Sequence, residues 1–178
     1  MTATNVILYA MRDIILIAHN LRSCHNIGSL LRTAEGLGVS KVYLTGYTPY
    51  PAGGPNEQRL PHEALKLDKQ IHKTALDAEH QVAWENLDDV FALFTRLQAG
   101  GYQIYAVEQA GNSVALPDFE PPDKLALLMG REVDGVESEV LAVCDGALEI
   151  PMFGRKESFN VVQAAAMALY HCRFAPLR

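Results

Sequence analysis

Residues 13–45 read DIILIAHNLRSCHNIGSLLRTAEGLGVSKVYLT. DIILIA (13–18) and KVYLT (41–45) are short apolar runs of the kind that buried strands require, and between them Ile27, Leu30, Leu31, Ala34 and Leu37 follow the i, i+3, i+4, i+7 spacing of one helix face. The stretch therefore predicts a βαβ unit. Asn26 stands where it can cap the helix and Gly38 where it can end it. Gly28, Arg32 and Glu35 fall on a second stripe, about 120° or more from the centre of the apolar one, so Arg32 leaves the core.

The rest of the chain repeats the alternation. YQIYAVE (102–108), LALLMG (125–130) and ALEIPM (147–152) read as strands; Leu87, Val90, Phe91, Phe94 and Leu97 mark an amphipathic helix that stops at Gly100 and Gly101; SEVLAVC (138–144) is a short helix and 160–173 the last one. Between them, TPYPAGGPNEQRLPH (48–62) holds four prolines and two glycines and predicts a long loop, followed by a basic helical segment. A polar, Pro-rich connection covers 111–124. Near-continuous apolar strands alternating with helices predict an α/β fold, a mostly parallel sheet covered on both faces.

Composition sets the frame for function. A chain of 178 residues, 49% of them hydrophobic, supports a single domain spanning 1–178. No run approaches the roughly 20 apolar residues of a membrane helix, and the N-terminal VILYAM lacks the basic flank of a signal peptide, so a cytoplasmic protein with no membrane partner is expected. Cys24, Cys144 and Cys172 are scattered, with no CxxC spacing, which predicts free thiols and no metal centre. The formal charge of −6 argues against a surface that grips nucleic acid everywhere. Its distribution is uneven: Asp77 to Glu149 holds fifteen acidic residues against Arg96, Lys124 and Arg131, while the two ends carry twelve basic residues against six acids. If the ends meet, they form a positive face. A mixed, solvated surface is the alternative.

Three polar constellations interrupt this frame. Asn26, Gly28 and Arg32 suit a phosphate or a developing oxyanion near a helix start, or simply a cap and an Arg paired with Glu35. Gly130, Glu132 and Gly135 form a loop after a strand, where glycine permits close approach of a ligand; Glu132 with Asp134, Glu137 and Glu139 equally reads as an acidic helix start. Ser158 and Asn160 precede an Ala-rich helix and read as site residues or as caps. The second and third constellations lie outside the carboxyl ends of strands, where open α/β sheets hold ligands. No GxGxxG opens a helix after the first strand and no GxxxxGK[ST] occurs, which sets aside the common dinucleotide and P-loop readings.

Taken in order, N-x-G-x-x-x-R-[ST]-A, then G-x-E-x-x-G after an apolar strand, then I-P-M and S-x-N-V before the Ala-rich helix make the chain resemble the SpoU/TrmH family of RNA 2′-O-ribose methyltransferases in the SPOUT superfamily, over about residues 13 to 174. The resemblance implies a C-terminal trefoil knot, S-adenosylmethionine held in the knotted loops, tRNA or rRNA as substrate, and a homodimer whose active site draws on both subunits. Carried over by position, Asn26, Arg32, Glu132, Ser158 and Asn160 match the family's functional residues, and Val107, Gly130, Ile150, Met152, Ser158 and Phe159 match the surroundings of the cofactor. A guanidinium hardly ever deprotonates. Arg32 is therefore read as a cation that lowers the pKa of a bound 2′-hydroxyl, Glu132 as a group that orients Arg32 or a polar neighbour, and Ser158 and Asn160 as groups that align substrate or cofactor. Arg131 departs from the Asn usual before the Glu, and Val162 with Gln163 from the usual Ser-Val, which bears on hydrogen bonding in the cofactor loop. The chain looks like a bare catalytic domain, which leaves RNA recognition to the dimer surface, the 48–75 segment or a helper protein. Two alternatives stay open: a knotted RNA-binding protein without turnover, and a base-methylating SPOUT enzyme.

Overall fold

Strands β1 (Asp13–His19), β2 (Lys41–Thr45), β3 (Trp84–Leu87), β4 (Gln103–Val107), β5 (Val114–Ala115), β6 (Lys124–Met129) and β7 (Gly146–Glu149) form one sheet in the order β3-β2-β1-β6-β4-β7-β5, with every pairing parallel. The computed structural model describes residues 12–54, 56–131 and 134–176. Successive side chains of a strand point to opposite faces. Ile14, Leu16, Ala18, Leu125, Leu127 and Met129 therefore join one core cluster with helices α1 (Cys24–Gly36), α2 (Pro61–Ala75) and α5 (Val161–Phe174). Ile15, Ile17, Ala126 and Leu128 join a second with α3 (Val90–Ala99) and the short α4 (Ser138–Leu141). Burial on both faces is why β1 and β6 are apolar without alternation. Among the described residues no helix is long and apolar enough to cross a membrane.

Several local expectations change. Ser23, not Asn26, caps α1: its backbone is extended and its Oγ accepts from the Asn26 N–H, so the helix starts earlier and Asn26 sits in the first turn. Gly38 does end it, at a positive φ of 64°. Leu87, expected in the helix, instead ends the edge strand Trp84–Leu87, whose WENL has no strong strand pattern of its own and is held by its pairing with β2. Helix α3 begins after Asp89, whose carboxylate accepts from the Phe91 and Ala92 N–H groups, and Phe91 faces solvent. The connection 111–124 contains the two-residue strand β5 and a 3₁₀ turn at Leu116–Asp118.

Gly28 is also corrected. It lies buried under α2, where an added Cβ would overlap Ile71 O and Thr74 Oγ1, so its role is close helix crossing and not ligand approach. The positive face loses two of its cations. Arg12 and Arg173 are buried: Arg12 donates to the carbonyls of Pro121, Cys172, Ala175 and Pro176, and Arg173 to those of Leu37, Gly38 and Arg12. These charges satisfy backbone oxygens and clamp the end of α5 to the start of β1. The 48–62 loop packs firmly. Arg59 stacks on Tyr50 at 3.5 Å and pairs with Glu57 at 2.5 Å, and buried Thr48 donates to Ala18 O.

Candidate active site

Because the strands are parallel, the carboxyl ends of β1, β4, β6 and β7 share one edge of the sheet. There the loops after β4, β6 and β7 enclose a cavity of about 290 Å³. Val107, Met129 and Leu148 from the strand ends and Val161 and Ala164 of α5 form its apolar floor. Gly130, Ile150, Met152, Ser158 and Phe159 line it from the loops, and Glu108, Asp134 and Glu157 add carboxylates.

Glycines let the β6 loop fold back on itself. Arg131 and Gly135 exchange N–H···O bonds, each 3.1 Å, across a tight turn. A Cβ on Gly130 would lie 2.6 Å from Val136 Cγ2, and one on Gly135, where φ is 68°, would overlap the Glu108 carboxylate. That carboxylate accepts from the Val136 and Gln109 N–H groups at 2.9 Å, and the Gln109 side chain donates to Glu157 O at 2.8 Å. The three loops are thus tied together by the end of β4.

A polar network joins the cavity to the end of β1. Asn20 donates to Glu137 Oε1 at 2.8 Å, His19 Nε2 lies 3.5 Å from Glu137 Oε2, and Arg131 Nε lies 3.5 Å from Glu137 Oε1. Burial pushes the His19 imidazole below its ordinary value, a shift that the Glu137 charge partly opposes. Burial works to raise Glu137, yet hydrogen bonds from its own N–H and from Asn20, with the nearby His19 and Arg131, hold it below the usual carboxylate range. Arg131, which lines the cavity, thus faces Glu137 on one side and Asp134 on the other, each at 3.5 Å. The thiols are poor nucleophiles by contrast: burial pushes Cys144 and Cys172 up to about 12 and also raises Cys24, and all three are free.

Of the residues singled out from sequence, Val107, Gly130, Ile150, Met152, Ser158 and Phe159 come together around this cavity. Asn160 stands beside it as the cap of α5, its Oδ1 accepting from Val162 N–H at 2.9 Å. Asn26 and Arg32 do not line it, and Glu132 lies outside the described residues. Arg32 is exposed on α1 and makes no hydrogen bond or ion pair among the described residues; the pairing with Glu35 is not formed. Sequence reasoning missed Glu108, Gln109 and Glu157. The signal for Glu108 was present, since it is the first charged residue after an apolar strand that ends on the ligand-binding edge.

Chemically, the cavity offers an apolar floor beneath a rim that carries carboxylates and one guanidinium, Arg131. The sequence pattern of the SpoU rRNA Methylase family matches residues 13–170. The chain is 28% identical over 161 residues to the tRNA (guanosine(18)-2'-O)-methyltransferase of Thermus thermophilus, covering 90% of this chain and 74% of that one. It is 29% identical over 160 residues to the 23S rRNA (guanosine-2'-O-)-methyltransferase RlmB of Neisseria meningitidis, covering 90% and 58%. Among solved structures, one determined in work on the 2-OH methylation of C/U34 on tRNA is 25% identical with a TM-score of 0.72, covering 90% of this chain and 94% of that one. The AdoMet-bound rRNA methyltransferase of Sinorhizobium meliloti shares the fold, with a TM-score of 0.75 at 22% identity, covering 94% and 58%. A parallel sheet with its ligand cavity between glycine-bearing loops, and a pattern match running from the first residue of β1 into α5, place the chain in the SpoU rRNA methylase family.

Proposed function

We propose that this protein is an S-adenosylmethionine-dependent RNA 2′-O-ribose methyltransferase acting on tRNA or rRNA. The observation that carries the reading is the cavity at the ends of β4, β6 and β7, whose apolar floor and carboxylate rim fit an adenosine with a cationic sulfonium and ammonium. Val107, Leu148, Ile150 and Phe159 would hold the adenine, while Glu108, Asp134 and Glu157 favour the positive charges. When bound, S-adenosylmethionine supplies an electrophilic methyl group. The task of the protein is then positioning and charge stabilisation of the attacking oxygen.

Arg32 is the cation assigned to that oxygen. It lowers the pKa of the 2′-hydroxyl and holds the adjoining phosphate, with the proton leaving to water or phosphate. Within one chain it does not reach the cavity lining, so it acts from a second copy in a homodimer. The exposed side of α5 supports that assembly: Tyr170 and Phe174 stack with centroids 4.7 Å apart and, with Ala166, Met167 and Phe119, line a broad apolar groove. Asn160, Ser158 and Glu132 align substrate and cofactor in the same reading, and the chain after β6 threads the trefoil knot. Arg155, Lys156 and the fully exposed Phe153, in the loop before α5, offer charge and a stacking face to RNA beside the cavity.

The test is incubation of the protein with labelled S-adenosylmethionine and total RNA from cells lacking it, followed by digestion to nucleosides. Label in a 2′-O-methyl nucleoside is the expected result. Label on a base, or none on RNA, overturns the reading.

A further inference from the structure

Beyond the ends of β1 and β2, on the same sheet edge as the cavity just described, lies a second pocket of about 350 Å³. Tyr47, Pro49, Tyr50 and Leu67 give it apolar and aromatic walls, and two guanidinium groups belong to it. They are not equivalent. Arg59 is fully engaged, stacked on Tyr50, paired with Glu57, and donating to the carbonyls of Tyr50 and Pro51 at 2.8 and 3.0 Å. It is a fixed wall. Arg22 is exposed 5.9 Å from the centre of the Tyr47 ring and makes no hydrogen bond or ion pair among the described residues. Tyr47 is itself 51% exposed. The pocket thus presents an exposed aromatic ring with a solvent-exposed cation over it, against a rigid back.

Its place in the fold connects it to methyl transfer. The Tyr47 backbone N–H donates to Asn20 Oδ1 at 3.2 Å, Asn20 reaches Glu137, and Glu137 faces Arg131 in the lining of the donor cavity. Strand β1 alone separates β2 from β6. Two strand spacings are about 10 Å, a span of about three stacked nucleotides. The two carboxylates that act on Arg59 are both engaged, Glu57 with Arg59 itself and Asp68 with the Ala52 N–H. A ring-bearing anion suits the pocket better than a cation does.

We propose that this pocket seats an unpaired nucleobase of the substrate RNA, stacked on Tyr47 with its phosphate against Arg22, a few nucleotides from the methylated ribose. The assignment rests on the methyltransferase reading above. Unpaired bases are the part of RNA that aromatic side chains can take, and sequence tolerance or preference follows from how the base fits the slot. Arg59 and Tyr50 act as positioning residues that hold the slot open.

The test uses the full chain, its mapped RNA substrate and a single-stranded RNA oligonucleotide carrying the same sequence. Tyr47→Ala should weaken RNA binding about 10-fold and raise KM for RNA with kcat largely kept, while Tyr47→Phe stays near wild type. Arg22→Ala should lower the slope of log affinity against log salt by about 0.7, the loss of one phosphate contact on a single strand. S-adenosylmethionine affinity and melting temperature should not move, since both side chains are exposed. RNA binding unchanged in Tyr47→Ala overturns the nucleobase seat and leaves the methyltransferase reading standing, and it is also the result if the pocket serves a protein partner. Wild-type protein that binds no RNA at all overturns both.

Discussion

Arg32 carries its charge two turns into α1, solvent-exposed and without an ion pair among the described residues, while the cavity assigned to the methyl donor lies elsewhere on the same chain. Its substitution should separate the two tasks. Arg32→Ala is expected to lower single-turnover methyl transfer by about 100-fold or more, a magnitude typical of losing a charge-stabilising donor, with S-adenosylmethionine affinity by calorimetry nearly unchanged. Parallel loss of cofactor binding would remove the role assigned here. Titratable residues make a second residue-scale prediction. Arg59, first through its side-chain hydrogen bond, holds the Glu57 carboxyl down at about 2, from an ordinary 4.5. A depressed carboxyl stabilises the fold above its unfolded value and loses that contribution as pH falls. The urea midpoint should therefore drop between pH 4.5 and about 2, and Glu57→Gln should flatten that limb. Two histidines act with opposite signs. His72 is raised by its hydrogen bond to Glu79, so its contribution is present below 6.5 and lost as pH rises; His19 is lowered by burial, so its contribution is present above 6.5 and lost as pH falls.

At the scale of elements, α1 and α2 meet through a glycine. The Ile71 carbonyl and Thr74 hydroxyl occupy the space that a side chain at 28 would need, and Thr74 Oγ1 also donates to His25 O at 2.8 Å. Gly28→Ala should force the helices apart and cost about 1–3 kcal/mol in chemical denaturation, the usual range for overpacking. An unchanged midpoint would mean the crossing is loose. The junction of α5 with β1 depends on cations instead. Arg173→Met should keep the apolar stem but strand the carbonyls of Leu37, Gly38 and Arg12, and a loss of about 2 kcal/mol or more is expected in thermal or urea unfolding.

At the scale of the whole molecule, the absence of Arg32 from the lining of the donor cavity is why the proposed function calls for a second copy. Tyr170→Asp, which places charge in the aromatic groove, should shift light-scattering mass from dimer toward monomer and abolish transfer while S-adenosylmethionine still binds. Mixing Arg32→Ala protein with a variant whose donor cavity is blocked should restore about a quarter of wild-type activity if subunits exchange randomly, because half of the dimers then carry one complete site. No recovery from two inactive parents that do exchange would show that each chain works alone.

DIILIA and KVYLT around the helix, and LALLMG and ALEIPM further on, were readable because burial on both faces leaves a continuous apolar run. The edge strands β3 and β5 were not, since WENL and a two-residue VA owe their state to a neighbour's pairing and not to their own pattern. The same division holds at the site. Gly130, Ile150, Met152 and Ser158 follow strands in the chain, so local order put them on the ligand edge, whereas Phe159 came only from the family resemblance. The sequence by itself determined the α/β alternation and these loop residues, because each depends on neighbours within a few positions. Only the tertiary structure decided that Gly28 serves helix crossing, that Arg12 and Arg173 are buried clamps, that Glu108 ties the cavity loops together and that Arg22 lies over Tyr47. Those outcomes turn on which distant backbone or charge arrives beside a residue, and no local pattern encodes that arrival.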